Sequence, residues 1–198
     1  MSTKEIILKK ASVLFAQNGY DAFNIRLLAE SIPLAPSALY HHFKDKDELL
    51  KTMFDDLNTN LGKKRTKLPH LTSASKTLEQ RIIFQLDNAQ EIVAVLKYFI
   101  AYRKRFPKFQ GGFVPDKSYL HIEEVLNLGV KSGEFYSPNI PHDAKVITHA
   151  INGFLLEYYP DTPKSKEKEK LVENIYQFLI RALARGGEKN ENNSTNSN

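Results

Sequence analysis

Cysteine is absent from all 198 residues. That absence excludes disulfides, thiolate nucleophiles and cysteine zinc sites, and it fits a reducing compartment. Long apolar runs are absent too. No stretch approaches the roughly 18 residues that span a bilayer, and Met1-Ser2-Thr3-Lys4-Glu5 leads straight into an amphipathic pattern rather than a signal segment. The expected location is cytoplasmic, with no membrane partner. Catalytic motifs are equally scarce: there is no Gly-x-Ser-x-Gly elbow, phosphate-binding glycine loop, His-Glu-x-x-His pair or calcium loop. The expectation is therefore no enzyme, no cofactor and no metal site.

What is present is a globular composition, 41% hydrophobic and 26% charged, sufficient for one large domain or two small ones. A balance of 28 Lys+Arg against 23 Asp+Glu gives a net charge of +5, which allows a polyanionic partner without demanding one. Residues 1–67 carry 11 basic and 8 acidic side chains, or +3, and the remainder carries 17 against 15, or +2. A third of the chain thus holds over half of the excess.

Almost every segment reads at helical period. Ile7, Ala11, Leu14 and Phe15 mark a first helix over 4–18, with Gly19 as a stop that tolerates left-handed backbone. Asn24 can cap a short second helix from Ile25 to about Ile32, and Pro33 ends it. Pro36 suits the first position of a third helix, in which Leu39 and Phe43 share a buried face and Ser37, Tyr40, His41 and Lys44 stay outside. Asp45 with Glu48 looks like a capping box, opening a fourth helix with an apolar stripe of Leu49, Leu50, Met53, Phe54, Leu57 and Leu61. The charged stretch from Gly62 to Pro69 reads as a boundary between modules. Longer helices are predicted near 74–90, 91–106, 117–132, 142–159 and 165–185, and 188–198 as a disordered tail. The fold class is all-α.

A short helix, a tight turn and a second short helix with small, polar outward residues make a helix-turn-helix over about 24–43. The ordered set Phe15-Ala16-Gln17-Asn18-Gly19-Tyr20, Ile25-Arg26-Leu27-Leu28-Ala29 and Ser37-Ala38-Leu39-Tyr40-His41-His42-Phe43-Lys44 through Leu50 closely resembles the DNA-binding domain of TetR-family transcriptional regulators. Pro33 and Ala35 depart from the glycine and the capping serine or threonine that the family usually has there. The resemblance implies a three-to-four-helix DNA-binding domain at 1–67, a larger helical ligand-binding and dimerisation domain at 68–187, and a ligand-responsive repressor. Its expected partners are double-stranded operator DNA, a second copy of the chain and a hydrophobic or cationic small-molecule effector.

A recognition helix about 10–12 Å across enters a major groove about 12 Å wide only if its leading residues are small. Pro36, Ser37 and Ala38 are small. By outward position and by resemblance, Ser37 and His41 are expected at base edges, Pro36 and Ala38 at thymine methyls, and Arg26, Tyr40, His42 and Lys46 at phosphates. Tyr40 has packing on the first helix as its alternative, and His42 a place at the edge of the core. Lys63, Lys64, Arg65 and Lys67 read either as a solvated hinge or as further DNA contacts.

Downstream, Leu128-Gly129-Val130-Lys131-Ser132-Gly133-Glu134-Phe135 is similar to a glycine-x-x-x-glycine-glutamate segment of the same family. Phe84, Tyr98, Phe99, Tyr102, Phe106, Tyr119 and Phe154 are the expected pocket aromatics, with Asp87, Glu91, Glu123 and Glu124 as nearby acids, although aromatics at helical spacing also read as plain core. Wide apolar faces on the last two helices suggest a homodimer seam of Ile151, Phe154, Tyr158, Ile175, Phe178, Leu179 and Ala182.

Overall fold

The computed structural model describes residues 2–33, 35–105, 118–159 and 165–184. Among the described residues there are nine helices and no strand, as the sequence periodicity predicts: α1 Thr3–Ala22, α2 Ile25–Glu30, α3 Pro36–His42, α4 Lys46–Thr66, α5 Ala74–Asp87, α6 Ala89–Arg105, α7 Leu120–Ser132, α8 Ile140–Tyr158 and α9 Ser165–Ala184. They fall into two compact units. The first comprises Met1–Pro69, Phe84–Pro115 and Phe154–Pro163, and the second His70–Ile83, Asp116–Gly153 and Lys164–Asn198.

Local chemistry sets the helix ends of the first unit. Ser2 and Glu5 form a reciprocal capping box at α1. Asn24 caps α2 by accepting the Leu27 N–H at 2.8 Å, and Asp45 caps α4 through the Glu48 N–H at 2.8 Å. The box at α4 is shifted from the expected form, because the Glu48 carboxylate accepts the N–H of Lys44 rather than that of Asp45. α1 also runs further than its sequence pattern predicts. Gly19 breaks the helix at φ +71°, ψ −172°, a conformation open to a residue without Cβ, and one more turn follows to Ala22.

That break frees carbonyls, and two lysines from elsewhere in the unit satisfy them. Lys97 of α6 donates to the carbonyls of Ala16 and Gln17, while Lys46 of α4 donates to that of Tyr20. Between these ties lies the core of the unit, in which Ile7, Phe15, Phe23, Leu28, Leu39, Leu49, Leu50 and Met53 are essentially inaccessible. Phe15 meets Phe23 edge-on at 6.0 Å, and Phe54 stacks on Tyr98 at 4.7 Å.

The second unit explains its glycine-glutamate segment. Gly129 lies against the Phe135 ring so closely that a Cβ would stand 2.1 Å from Phe135 Cδ2, and Gly133 ends α7 in left-handed backbone at φ +77°. The turn delivers Glu134 to the start of α5. There its carboxylate accepts the N–H groups of Ala74 and Ser75 and the hydroxyls of Ser73, Ser75 and Ser132, and these donors hold its pKa down at about 2.

Candidate nucleic-acid interface

α3 is seven residues long and follows α2 after a short turn. Its inward face is Leu39, with Phe43 at its C-cap; both are buried, and Lys4 of α1 lies 5.8 Å from the Phe43 ring. Pro36 opens the helix with its fixed φ, and Ala35 supplies no side-chain cap. The opposite face is open. Ser37, Tyr40, His41 and His42 are all exposed and Ala38 is half-buried, so the expected base-reading pair, Ser37 and His41, shares the solvent side of one short helix. Tyr40 is 57% exposed, which sets it outward rather than against α1. His42 is exposed beside Phe43, their rings 6.3 Å apart.

The expected phosphate contacts separate into two groups. The Arg26 side chain is 88% exposed and paired with Glu30 one turn on at 3.0 Å, a surface pair that costs little to open. Lys46 is half-buried and turned inward, its ammonium 4.1 Å over the Tyr20 ring as well as bonded to the Tyr20 carbonyl. Lys44, just past the recognition helix, is exposed and takes no ion-pair partner among the described residues. Sequence pattern placed Lys44 outside without giving it a role.

The charged stretch in the last turn of α4 is more structured than a solvated hinge. Lys64 donates to Asn88 at 2.7 Å and to Glu91 at 2.8 Å, and Arg65 lies over the Phe84 ring at 5.4 Å. Lys63 and Lys67 are both exposed.

The aromatics expected around an effector go to different neighbours. Phe84 lies under Arg65, Phe99 near Arg103, and Tyr119 near Lys145. Tyr98 and Tyr102 share a cleft with Tyr20 and the start of α4. Phe106 lies outside the described residues, as do the tail 188–198 and the side chain of Pro36. In the second unit Arg81 Nε and Nη1 and Thr148 Oγ1 are buried and take no hydrogen bond among the described residues. Burial lowers the Arg81 pKa, and Glu124 opposes that shift.

The apolar faces of α8 and α9 need a correction at three positions. Ile151, Ile175 and Leu179 are 1%, 6% and 5% exposed, so they serve the chain's own core and cannot line a surface seam. Phe154, Tyr158, Phe178 and Ala182 are exposed, and Val146 joins them.

Comparison with known proteins supplies the context for this helix-turn-helix. The family described as bacterial regulatory proteins, tetR family, matches residues 7–53. The HTH-type transcriptional repressor KstR2 of Mycolicibacterium smegmatis is 31% identical over 139 residues, 68% of each chain. The transposon Tn10 TetC protein of Escherichia coli is 29% identical over 185 residues, 93% of this chain and 90% of that one. The crystal structure of the transcriptional regulator FadR from Bacillus subtilis in complex with stearoyl-CoA superposes with a TM-score of 0.62 at 16% identity, over 89% of this chain and 97% of that one.

Proposed function

The chain belongs to the TetR family of bacterial regulatory proteins and is a DNA-binding transcriptional regulator rather than an enzyme; from that premise we propose that it is a repressor which binds a palindromic operator as a homodimer and is released by a small molecule. The observation that carries the reading is α3, a short helix anchored by Leu39 and Phe43 whose open face offers Ser37, Tyr40, His41 and His42 behind a small leading turn. In this reading Ser37 and His41 touch base edges, with Pro36 and Ala38 at thymine methyls. Arg26, Tyr40 and His42 fix register on phosphates, Lys44 adds a further cation, and Lys46 reaches the backbone only by leaving Tyr20.

Repression is supported by KstR2, whose name gives it as a repressor. Release by a small molecule is supported by FadR, solved with stearoyl-CoA bound, and by the unpartnered buried atoms of Arg81 and Thr148, which a ligand in the 68–187 domain would satisfy. Dimerisation is supported by the exposed apolar side chains at Val146, Phe154 and Tyr158 on α8 and at Phe178 on α9. No helix among the described residues is long and apolar enough to cross a membrane, and the working compartment is the cytoplasm.

The test is a gel shift of the chain's own upstream region across a salt series. A saturable shift is expected, with log affinity falling by about 0.9 per phosphate neutralised for each decade of salt. Binding that ignores both sequence and salt refutes the reading.

A further inference from the structure

In the first unit, the end of α1, the first turns of α4 and the far end of α6 converge on an open cleft of about 430 Å³. Tyr20, Tyr98 and Tyr102 form its aromatic side, and Asp47, Glu48 and Lys51 face them from α4, with the Asp47 carboxylate accepting the Tyr20 hydroxyl. Tyr98 is only 6% exposed, its ring held between Phe54 at 4.7 Å and Tyr102 at 6.0 Å. Its hydroxyl takes no hydrogen bond among the described residues, although it lies near Tyr20, Asp47 and Tyr102, all walls of the cleft. The ring is buried while the hydroxyl keeps access to the cleft, where it is a hydrogen-bonding group open to an occupant.

The charges around the cleft favour one kind of occupant. Lys51 is neutralised by Asp55 at 2.6 Å. The lining presents the carboxylates of Asp45, Asp47 and Glu48 against the ammoniums of Lys44 and Lys51, an excess of one negative charge. Burial, reinforced by Tyr102, Asp55, Asp47 and Tyr20, pushes the Tyr98 hydroxyl up to about 12, so the site resists added negative charge. The fold already seats an ammonium on this aromatic wall, since Lys46 stands 4.1 Å over Tyr20.

We propose that this cleft binds a small primary ammonium compound carrying a planar ring, with the ammonium between Asp47 and the Tyr98 hydroxyl and the ring against Tyr102. Six of the eight residues that line the cleft belong to the 1–67 head, and only Tyr98 and Tyr102 come from the expected effector aromatics, so the site differs from a pocket enclosed by the 68–187 domain. Three residues separate α3 from α4, so an occupant bridging α4 to α6 acts directly on the element that carries the recognition helix. That regulatory consequence rests on the proposed operator binding; the binding itself does not.

Calorimetry of the full-length chain with three probes of one ring and different charge provides the test: tyramine, neutral tyrosol and anionic 4-hydroxyphenylacetate. Tyramine is expected to bind, with tyrosol weaker by roughly tenfold or more and the anion weaker still. Asp47→Asn and Tyr98→Phe should each weaken tyramine roughly tenfold. Tyr98→Phe keeps the ring stack, so an unchanged melting curve certifies its fold. Tyr136→Phe, at a position 53% exposed in the second unit, should leave tyramine affinity as it was. No heat with millimolar tyramine, equal or preferred binding of the anion, or wild-type affinity in both cleft variants overturns the proposal. The titration contains no DNA, so failure to bind an operator and failure of the cleft to bind tyramine are distinguished.

Discussion

Glu134→Gln removes one charge and turns one acceptor into a donor at a point where five donors converge on a carboxylate. Oε1 accepts Ala74 N–H at 2.9 Å and the Ser132 hydroxyl at 3.1 Å, while Oε2 accepts Ser75 N–H at 3.0 Å and the hydroxyls of Ser73 and Ser75 at 2.9 Å. Whichever oxygen the amide nitrogen replaces, it meets a backbone N–H donor to donor. The carboxylate sits at about 2 against an ordinary 4.5. At about 1.36 kcal/mol per unit this sets a ceiling near 3 kcal/mol, and because the group is solvent-exposed, screening cuts the expectation to roughly 1–2 kcal/mol.

The direction with pH follows from the depressed value. Stabilisation is complete above the unfolded pKa and is lost as pH falls from about 4.5 through about 2. Urea unfolding of wild type and Glu134→Gln at several pH values between 7 and 3 should therefore show a gap of roughly 1–2 kcal/mol at neutral pH that narrows as the medium is acidified. In a chain of this size the neutral-pH gap corresponds to a few degrees of melting temperature. A constant gap across that range, or none at pH 7, refutes the assignment of Glu134 as the charged cap of α5.

The remaining predictions address packing, coupling, assembly and readout. Gly129→Ala should lose about 1–3 kcal/mol by driving a methyl into the Phe135 ring, outweighing the roughly 1 kcal/mol that alanine adds to a helix, whereas Gly62→Ala, with nothing within 4 Å of its Cβ, should gain up to that amount; equal melting shifts for the two would contradict the close contact. Lys97→Met keeps the apolar stem but leaves the carbonyls of Ala16 and Gln17 without their ammonium, so amide exchange at the α1 break should accelerate and stability fall by about 1–3 kcal/mol; unchanged protection there would remove Lys97 from that role. Phe178→Asp alters a side chain 63% exposed, so sedimentation should find folded monomers, while an intact dimer would take α9 out of the seam. His41→Ala should relax discrimination at one or two base pairs by about 1–3 kcal/mol each, and a wild-type sequence preference would end its base-reading assignment.

What could be read from the sequence were features closed within a few residues. Asn24, Pro36, Asp45 and Gly133 act on backbone groups of their own turn, and the structure has each in that place. The turn between α2 and α3 and the exposed row on α3 follow from the same local pattern. Long-range polar ties were illegible for a physical reason. The break at Gly19 announces carbonyls in need of donors, but nothing distinguishes Lys46 and Lys97, 26 and 81 residues from the carbonyls they serve, from any other surface lysine. Tyr98 and Tyr102 likewise read as aromatics at helical spacing; their meeting with Tyr20 and Asp47 depends on α6 lying beside α1 and α4.

α9 shows a different limit, one of ambiguity rather than distance. Val172, Ile175, Leu179 and Leu183 recur at helical spacing, and so do Leu171, Phe178 and Ala182. Periodicity reports that two apolar rows exist and cannot rank them, because a moment summed over both has one direction for two surfaces. Packing breaks the tie. The first row is buried to within 7% of its surface by the chain itself, and the second contains a phenylalanine left 63% in water. Aliphatics branched at Cβ or Cγ fill the close-packed interior, while the larger aromatic is left outside, where exposure carries a cost at every moment it is not covered. A partner that covers Phe178 therefore gains free energy without disturbing Ile175, and this is why a charge at position 178 should separate assembly from folding whereas the same charge at 175 would destroy both.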